Sequence, residues 1–185
     1  MKIFYTASYY GKNKYQKYYD MVLRAIEATG VEVISPEKGN YKDLLSPAVI
    51  KKLKYEKSIH YEAIRQGILI CDAVIIEASH EDFQLGAEAA YAVENKKHLL
   101  CLSIHENFTE KMRYRYFTGA RYNEYNIEEI VENFISAVKK NQFSERFNCF
   151  LTTTQFHLLK KKAKKENLNT SEYLRSLIDQ DIKEY

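Results

Sequence analysis

Hydrophobic positions along this chain change period several times, and each change marks an element. Residues 2–6 read as a strand entered directly from Met1. Over residues 14–29, Tyr15, Tyr18, Tyr19, Val22 and Ile26 recur at helical spacing, and Gly30 supplies a stop. Residues 31–34 form a short second strand ahead of Pro36, and residues 37–55 are a polar, lysine-rich excursion placed to cover a site. A helix over 58–67 leads into the apolar run Ala73-Val74-Ile75-Ile76, a third strand. A loop with one glycine (Gly86) then opens a helix of small residues carrying Glu88 in its first turn. A strand at 98–102, an irregular stretch at 105–118, a short strand near Tyr122 and a helix over 127–140 complete the series. Strands alternating with helices predict an α/β domain with a parallel, doubly wound sheet.

The pattern changes near Gln142, which divides the chain into residues 1–142 and 143–185. Residues 147–152 read as a lone strand. Thr153 or Thr154 caps a helix with Phe156, Leu159 and Ala163 on its apolar side. After a turn at 168–170, Thr170 or Ser171 caps a second helix striped by Tyr173, Leu174, Leu177 and Ile178. A unit of about 40 residues cannot bury a useful core alone. It is expected to dimerise, giving a homodimer or a dimer of dimers.

Composition narrows the classes. With 29% charged residues the chain is not extensively disordered, and a net charge of +3 does not by itself mark a nucleic-acid binder. Cys71, Cys101 and Cys149 lie far apart with no C-x-x-C pair, which argues against both a disulfide framework and metal ligation. The five histidines show no metal spacing, so neither a metal nor a cofactor is expected. There is no signal-peptide core and no membrane-length apolar run, and reduced thiols fit a cytoplasmic protein. Sixteen tyrosines, Tyr5 and Tyr9 among them, offer flat faces for a base or sugar, although most will serve ordinary packing.

In a parallel sheet the ligand crevice lies beyond the carboxyl ends of the strands. Asp72, Glu77, Asp82 and Glu88 are therefore expected to cluster at that edge. A helix start would keep Glu88 ionised, the state a carboxylate nucleophile needs. The plainer alternative is that Glu88 only complements the helix dipole and Asp72 only fixes a loop.

Asp72-x-Val-Ile-x-Glu-x-Ser, then Asp82, Gly86-x-Glu88-x-x-Tyr91-Ala92 and Lys97-x-Leu-Leu-Cys-Leu, resembles the nucleoside 2-deoxyribosyltransferase superfamily, which includes the nucleoside 5′-monophosphate N-glycosidases. The resemblance covers residues 1–140 and implies a flavodoxin-like or Rossmann-like sheet. It implies an enzyme that cleaves or exchanges the base–deoxyribose bond, with Glu88 as nucleophile. Substrate contacts are expected from Tyr5, Ser8, Tyr9 and Gly11 on one side and from Glu77, Ser79, Asp82 and Gly86 on the other. Asp82 favours an unphosphorylated nucleoside, whereas the loop Ala7-Ser8-Tyr9-Tyr10-Gly11 resembles the monophosphate branch with Tyr10 in place of an arginine. Ile64 stands where family members carry the aspartate that helps protonate the leaving base, so Glu62 or Asp72 must supply that proton or turnover is lost.

Residues 145–185 resemble ribbon-helix-helix modules of the CopG/Arc type. That resemblance implies a two-stranded ribbon for the DNA major groove, with Arg146, Asn148 and Phe150 facing the bases. The reading is an N-glycosidase or deoxyribosyltransferase-like enzyme acting on a nucleoside or nucleotide. The alternative is a DNA-binding regulator whose α/β domain senses a nucleotide-like ligand without catalysis.

Overall fold

A computed structural model describes residues 1–112, 114–140 and 147–184, excepting the side chains of residues 183 and 184. The chain divides into two compact units, residues 1–142 and 143–185.

The first unit is built on five parallel strands: β1 (Lys2–Ala7), β2 (Glu32–Ile34), β3 (Ala73–Glu77), β4 (His98–Ser103) and β5 (Phe117–Arg121). Their order is β2-β1-β3-β4-β5, so the chain reverses direction across the sheet between β1 and β3. Alternation along the strands sorts side chains to two cores. Ile3, Tyr5, Ile75, Leu100 and Leu102 face α1 (Lys12–Ala28) and, later in the chain, the helix over Ile127–Lys140. Phe4, Val74, Ile76, Leu99 and Cys101 face the other layer. That layer holds α2 (Pro47–Leu53), α3 (Glu56–Ile70) and α4 (Phe83–Glu94); the Ile127–Lys140 helix is α5. The protein therefore has a Rossmann-like α/β fold with helices on both faces.

Three local predictions change. The excursion at 37–55 contains a 3₁₀ turn (Asn40–Leu44) and α2, which starts because Ser46 caps it and Pro47 sits in its first turn. The short strand expected near Tyr122 is β5, which starts at Phe117, within the stretch read as irregular. Glu88 is the sixth residue of α4, not part of its first turn, because the helix starts immediately after Asp82.

The second unit contains α6 (Thr153–Lys165) and α7 (Thr170–Glu184). Reciprocal capping boxes define both starts, Thr152 with Gln155 and Asn169 with Glu172, one residue earlier than the predicted caps in each case. Residues 147–152 do not form the expected strand: a strand must bond to a neighbour, and the described residues offer none. Arg146 lies outside the described residues. Among those described, no helix is long and apolar enough to cross a membrane.

Candidate active site

The carboxyl ends of β1 and β3 sit side by side, with Thr6 paired to Ile76 and Ala7 to Glu77. Beyond them the chain turns into α1 and α4. This is the topological switch point at which doubly wound sheets take their ligands. Asp82 caps α4 by accepting the Leu85 N–H at 2.9 Å, and its other oxygen accepts the Ser8 hydroxyl. A hydroxyl at the end of β1 is thereby tied to the start of α4.

Glu88 lies nearly two turns into α4, 4% exposed. Its Oε1 accepts the Gln84 side-chain amide at 2.7 Å, and its Oε2 has no hydrogen-bond partner among the described residues. Burial pushes its carboxyl up to about 7. The Gln84 amide and the Thr6 hydroxyl oppose that shift, and the charge of Asp82 adds to it. The expectation that the helix start would keep Glu88 ionised does not apply, because Glu88 lies beyond the first turn to which the dipole effect is confined, and desolvation raises its carboxyl instead.

Three further expectations are corrected. Asp72 is not part of the carboxylate cluster. It precedes β3, where its Oδ2 accepts the Lys2 N–H at 2.7 Å at the amino end of the sheet. Five residues of strand separate it from the end of β3, roughly 16 Å. Glu62 is held ionised by Arg65, whose Nε donates at 3.0 Å, and by Gln66 at 2.8 Å. A carboxylate stabilised as its anion is poorly suited to give up a proton. Tyr5 is fully buried in the α1/α5 core and donates its hydroxyl to the Tyr19 carbonyl at 3.0 Å, so its ring forms no crevice wall.

The other positions divide by exposure. Glu77 is fully buried; its Oε1 accepts the Ser79 hydroxyl and, at 2.9 Å, the Tyr122 hydroxyl. The Ser79 hydroxyl in turn accepts the Ile104 N–H at 3.0 Å. These two residues brace the strand ends from within. Tyr9 is exposed, Gly86 has open space around it, and Gly11 packs so tightly that a Cβ would overlap the Tyr19 hydroxyl and His80. Ile64, where an acid was sought, is buried in the core under α3.

Sequence reasoning missed Gln84, His60 and Tyr41. The spacing of Gln84 and Glu88, one helical turn apart, was the available signal. The contacts of His60 arise only in three dimensions: its Nδ1 is 2.7 Å from the Tyr41 hydroxyl and its Nε2 is 3.3 Å from the Gln84 amide nitrogen. Among the described residues no group of His, Cys, Asp or Glu is placed to hold a metal ion. A cavity of about 760 Å³ lies away from Glu88, lined by Lys17, Tyr18, Ile104, Arg121, Tyr122 and Tyr125 among others. Its lining includes the Glu124 carboxylate but none of the residues around Glu88.

No family model matches the chain, and no curated protein matches it. Among solved structures, the chain is similar to the CMP N-glycosidase BcmB of Clostridium botulinum at 16% identity and a TM-score of 0.44, over 74% of this chain and 99% of that one. It is also similar to a de novo designed Rossmann 2x3 fold protein at 18% identity and a TM-score of 0.43, over 81% of this chain and 98% of the design.

Proposed function

We propose that the α/β unit cleaves the bond between a base and deoxyribose in a nucleoside or nucleotide, as an N-glycosidase or deoxyribosyltransferase-like enzyme. The observation that carries the proposal is Glu88: a buried carboxylate at the switch point whose Oε1 is tethered by the exposed Gln84 and whose Oε2 is unpartnered among the described residues. Glu77 Oε2 is also unpartnered among them, but its Oε1 is closed in by Ser79 and Tyr122. Its Oε2 attacks the anomeric carbon as the glycosidic bond breaks, and the base leaves with the bonding electron pair. Water then resolves the glycosyl ester, or a second base accepts the sugar. The resemblance of the Gly86-x-Glu88 segment to nucleoside deoxyribosyltransferases supports the same assignment.

Asp82 bears on substrate choice. The resemblance sets it at the sugar's 5′ end, where its carboxylate would repel a phosphate. The Ser8 hydroxyl is already committed to that carboxylate. An unphosphorylated nucleoside is therefore the preferred substrate. With Ile64 in the core and Glu62 held as an anion, no side chain assigned here protonates the departing base. Turnover should be slow, since general acid catalysis is typically worth about 10²–10⁴-fold.

The test is incubation with a panel of deoxynucleosides and their monophosphates, with free base measured by chromatography. Glu88→Gln should abolish base release while the fold persists; wild-type rates in that variant would remove Glu88 from the mechanism. Faster release from monophosphates would reverse the role given to Asp82.

The second reading keeps the ligand and drops the chemistry: a ribbon-helix-helix regulator that senses a nucleotide-like molecule. The observation favouring it is the core position of Ile64 together with the exposed apolar residues of the second unit, Phe147 and Phe150 among them. Ligand binding without base release, combined with salt-sensitive binding to double-stranded DNA, would select it. Asn148 and Phe150, both exposed, would then face the bases.

A further inference from the structure

We propose that Gln84 and His60 are positioning residues for Glu88: His60 orients the Gln84 amide, and that amide tethers Oε1 so that Oε2 is the oxygen left to react. This inference rests on the reading of Glu88 as nucleophile.

Gln84 and Glu88 share one face of α4 at a spacing of four residues. The Gln84 nitrogen carries two hydrogens and has two acceptors in reach, Glu88 Oε1 at 2.7 Å and His60 Nε2 at 3.3 Å. An amide can turn over and exchange its nitrogen and oxygen, so something must select the orientation that faces a carboxylate. Here both neighbours select it. For Nε2 to accept, the His60 ring must be neutral with its proton on Nδ1, and the Tyr41 hydroxyl, 2.7 Å away, receives that proton's hydrogen bond.

The surroundings maintain this state. Burial and the Lys42 cation lower the basicity of His60, while Glu56, ion-paired to Lys42, acts in the opposite sense. A protonated His60 would attract the amide oxygen and set it against the Glu88 carboxylate. The other groups acting on Glu88 are Asp82, at the start of the same helix, and the Thr6 hydroxyl from β1. Three separate segments therefore converge on one oxygen: the Asn40–Leu44 turn through Tyr41, α3 through His60 and α4 through Gln84. Fixing a carboxylate before the substrate arrives lowers the entropic part of the barrier.

The experiment is a carboxyl ¹³C NMR titration of the full chain labelled at glutamate, with the Glu88 signal assigned by its loss in Glu88→Gln. Gln84→Ala removes a hydrogen bond to the charged form and should raise the Glu88 midpoint by about one pH unit. Gln84 is exposed, so truncating it spares the core. His60→Ala should move the midpoint the same way by less, and His60→Gln, which keeps an acceptor, should bring it back. Unchanged midpoints in Gln84→Ala and His60→Ala overturn the proposal. On any nucleoside the wild type cleaves, Gln84→Ala should lower kcat about tenfold with KM unchanged, the signature of positioning. A change in KM alone overturns it. Shifted midpoints in a protein that cleaves no nucleoside would uphold the pairing and reject only Glu88 as nucleophile.

Discussion

Glu77 and Glu88 are buried carboxylates at the same end of the sheet, and they differ in what binds Oε1. Ser79 and Tyr122 close around Glu77 within the protein. The Gln84 amide and the Thr6 hydroxyl act on Glu88, whose Oε2, like that of Glu77, has no hydrogen-bond partner among the described residues. Burial raises the Glu88 carboxyl from its ordinary 4.5 to about 7, so between those values the folded chain binds a proton that the unfolded chain has released. Stability from this group is thus complete below about 4.5 and is lost as pH rises through 7, on the order of 3 kcal/mol in all. Glu88→Gln should therefore be more stable than the wild type at pH 8 by up to about 3 kcal/mol, with the gap closing near pH 5. Denaturant melts at the two pH values measure this. A nucleophile must be ionised, so base release should climb through pH 7 as stability falls; a rate that declines over that range would contradict the assignment.

At the scale of elements, α3 approaches β1 closely because Gly67 has no side chain. A Cβ at Gly67 would overlap the ring of Phe4, which is fully buried and has no room to swing away. Gly67→Ala gains about 1 kcal/mol of helix propensity but forces that ring aside, for a net loss of roughly 1–2 kcal/mol. Thermal melts would show the loss, and a stabilised variant would mean that α3 sits further from the sheet. The consequence reaches the crevice, because α3 carries His60 toward Gln84. Gly86, by contrast, has nothing near its missing side chain, and the fold of the single chain gives no steric reason for a glycine there.

For the whole molecule, the second unit sets the open question of assembly. Among its apolar residues Ala163 and Tyr173 are buried, while Phe147, Phe150, Phe156, Leu158, Ile178 and Ile182 are exposed. So much exposed apolar surface on two short helices would be covered if a second copy packed against the unit. Light scattering should find the full chain as a dimer or larger, and a chain ending at residue 142 should fall to a smaller oligomer while keeping base release. A monomeric full chain would sink this reading.

Much of this was legible in the sequence, for a physical reason. Period and stop signals are local, so the alternation of strands and helices, the break near Gln142 and the proximity of Asp82 and Glu88 to the end of β3 followed from neighbours in the chain. The direction of a charge effect is not local. A helix start would lower a carboxyl and burial raises it; the packed structure puts Glu88 beyond the first turn and in a buried place. Strand register likewise decided that Asp72 stands at the amino end beside Lys2 and Glu77 at the carboxyl end beside Ala7. The meeting of Tyr41, His60 and Gln84 brings together residues up to 43 positions apart, counted from 41 to 84, which no spacing rule reaches. Sequence placed Glu77, Asp82 and Glu88 near one sheet edge; tertiary structure turned Asp72 away, buried Tyr5 and brought Gln84 and His60 in.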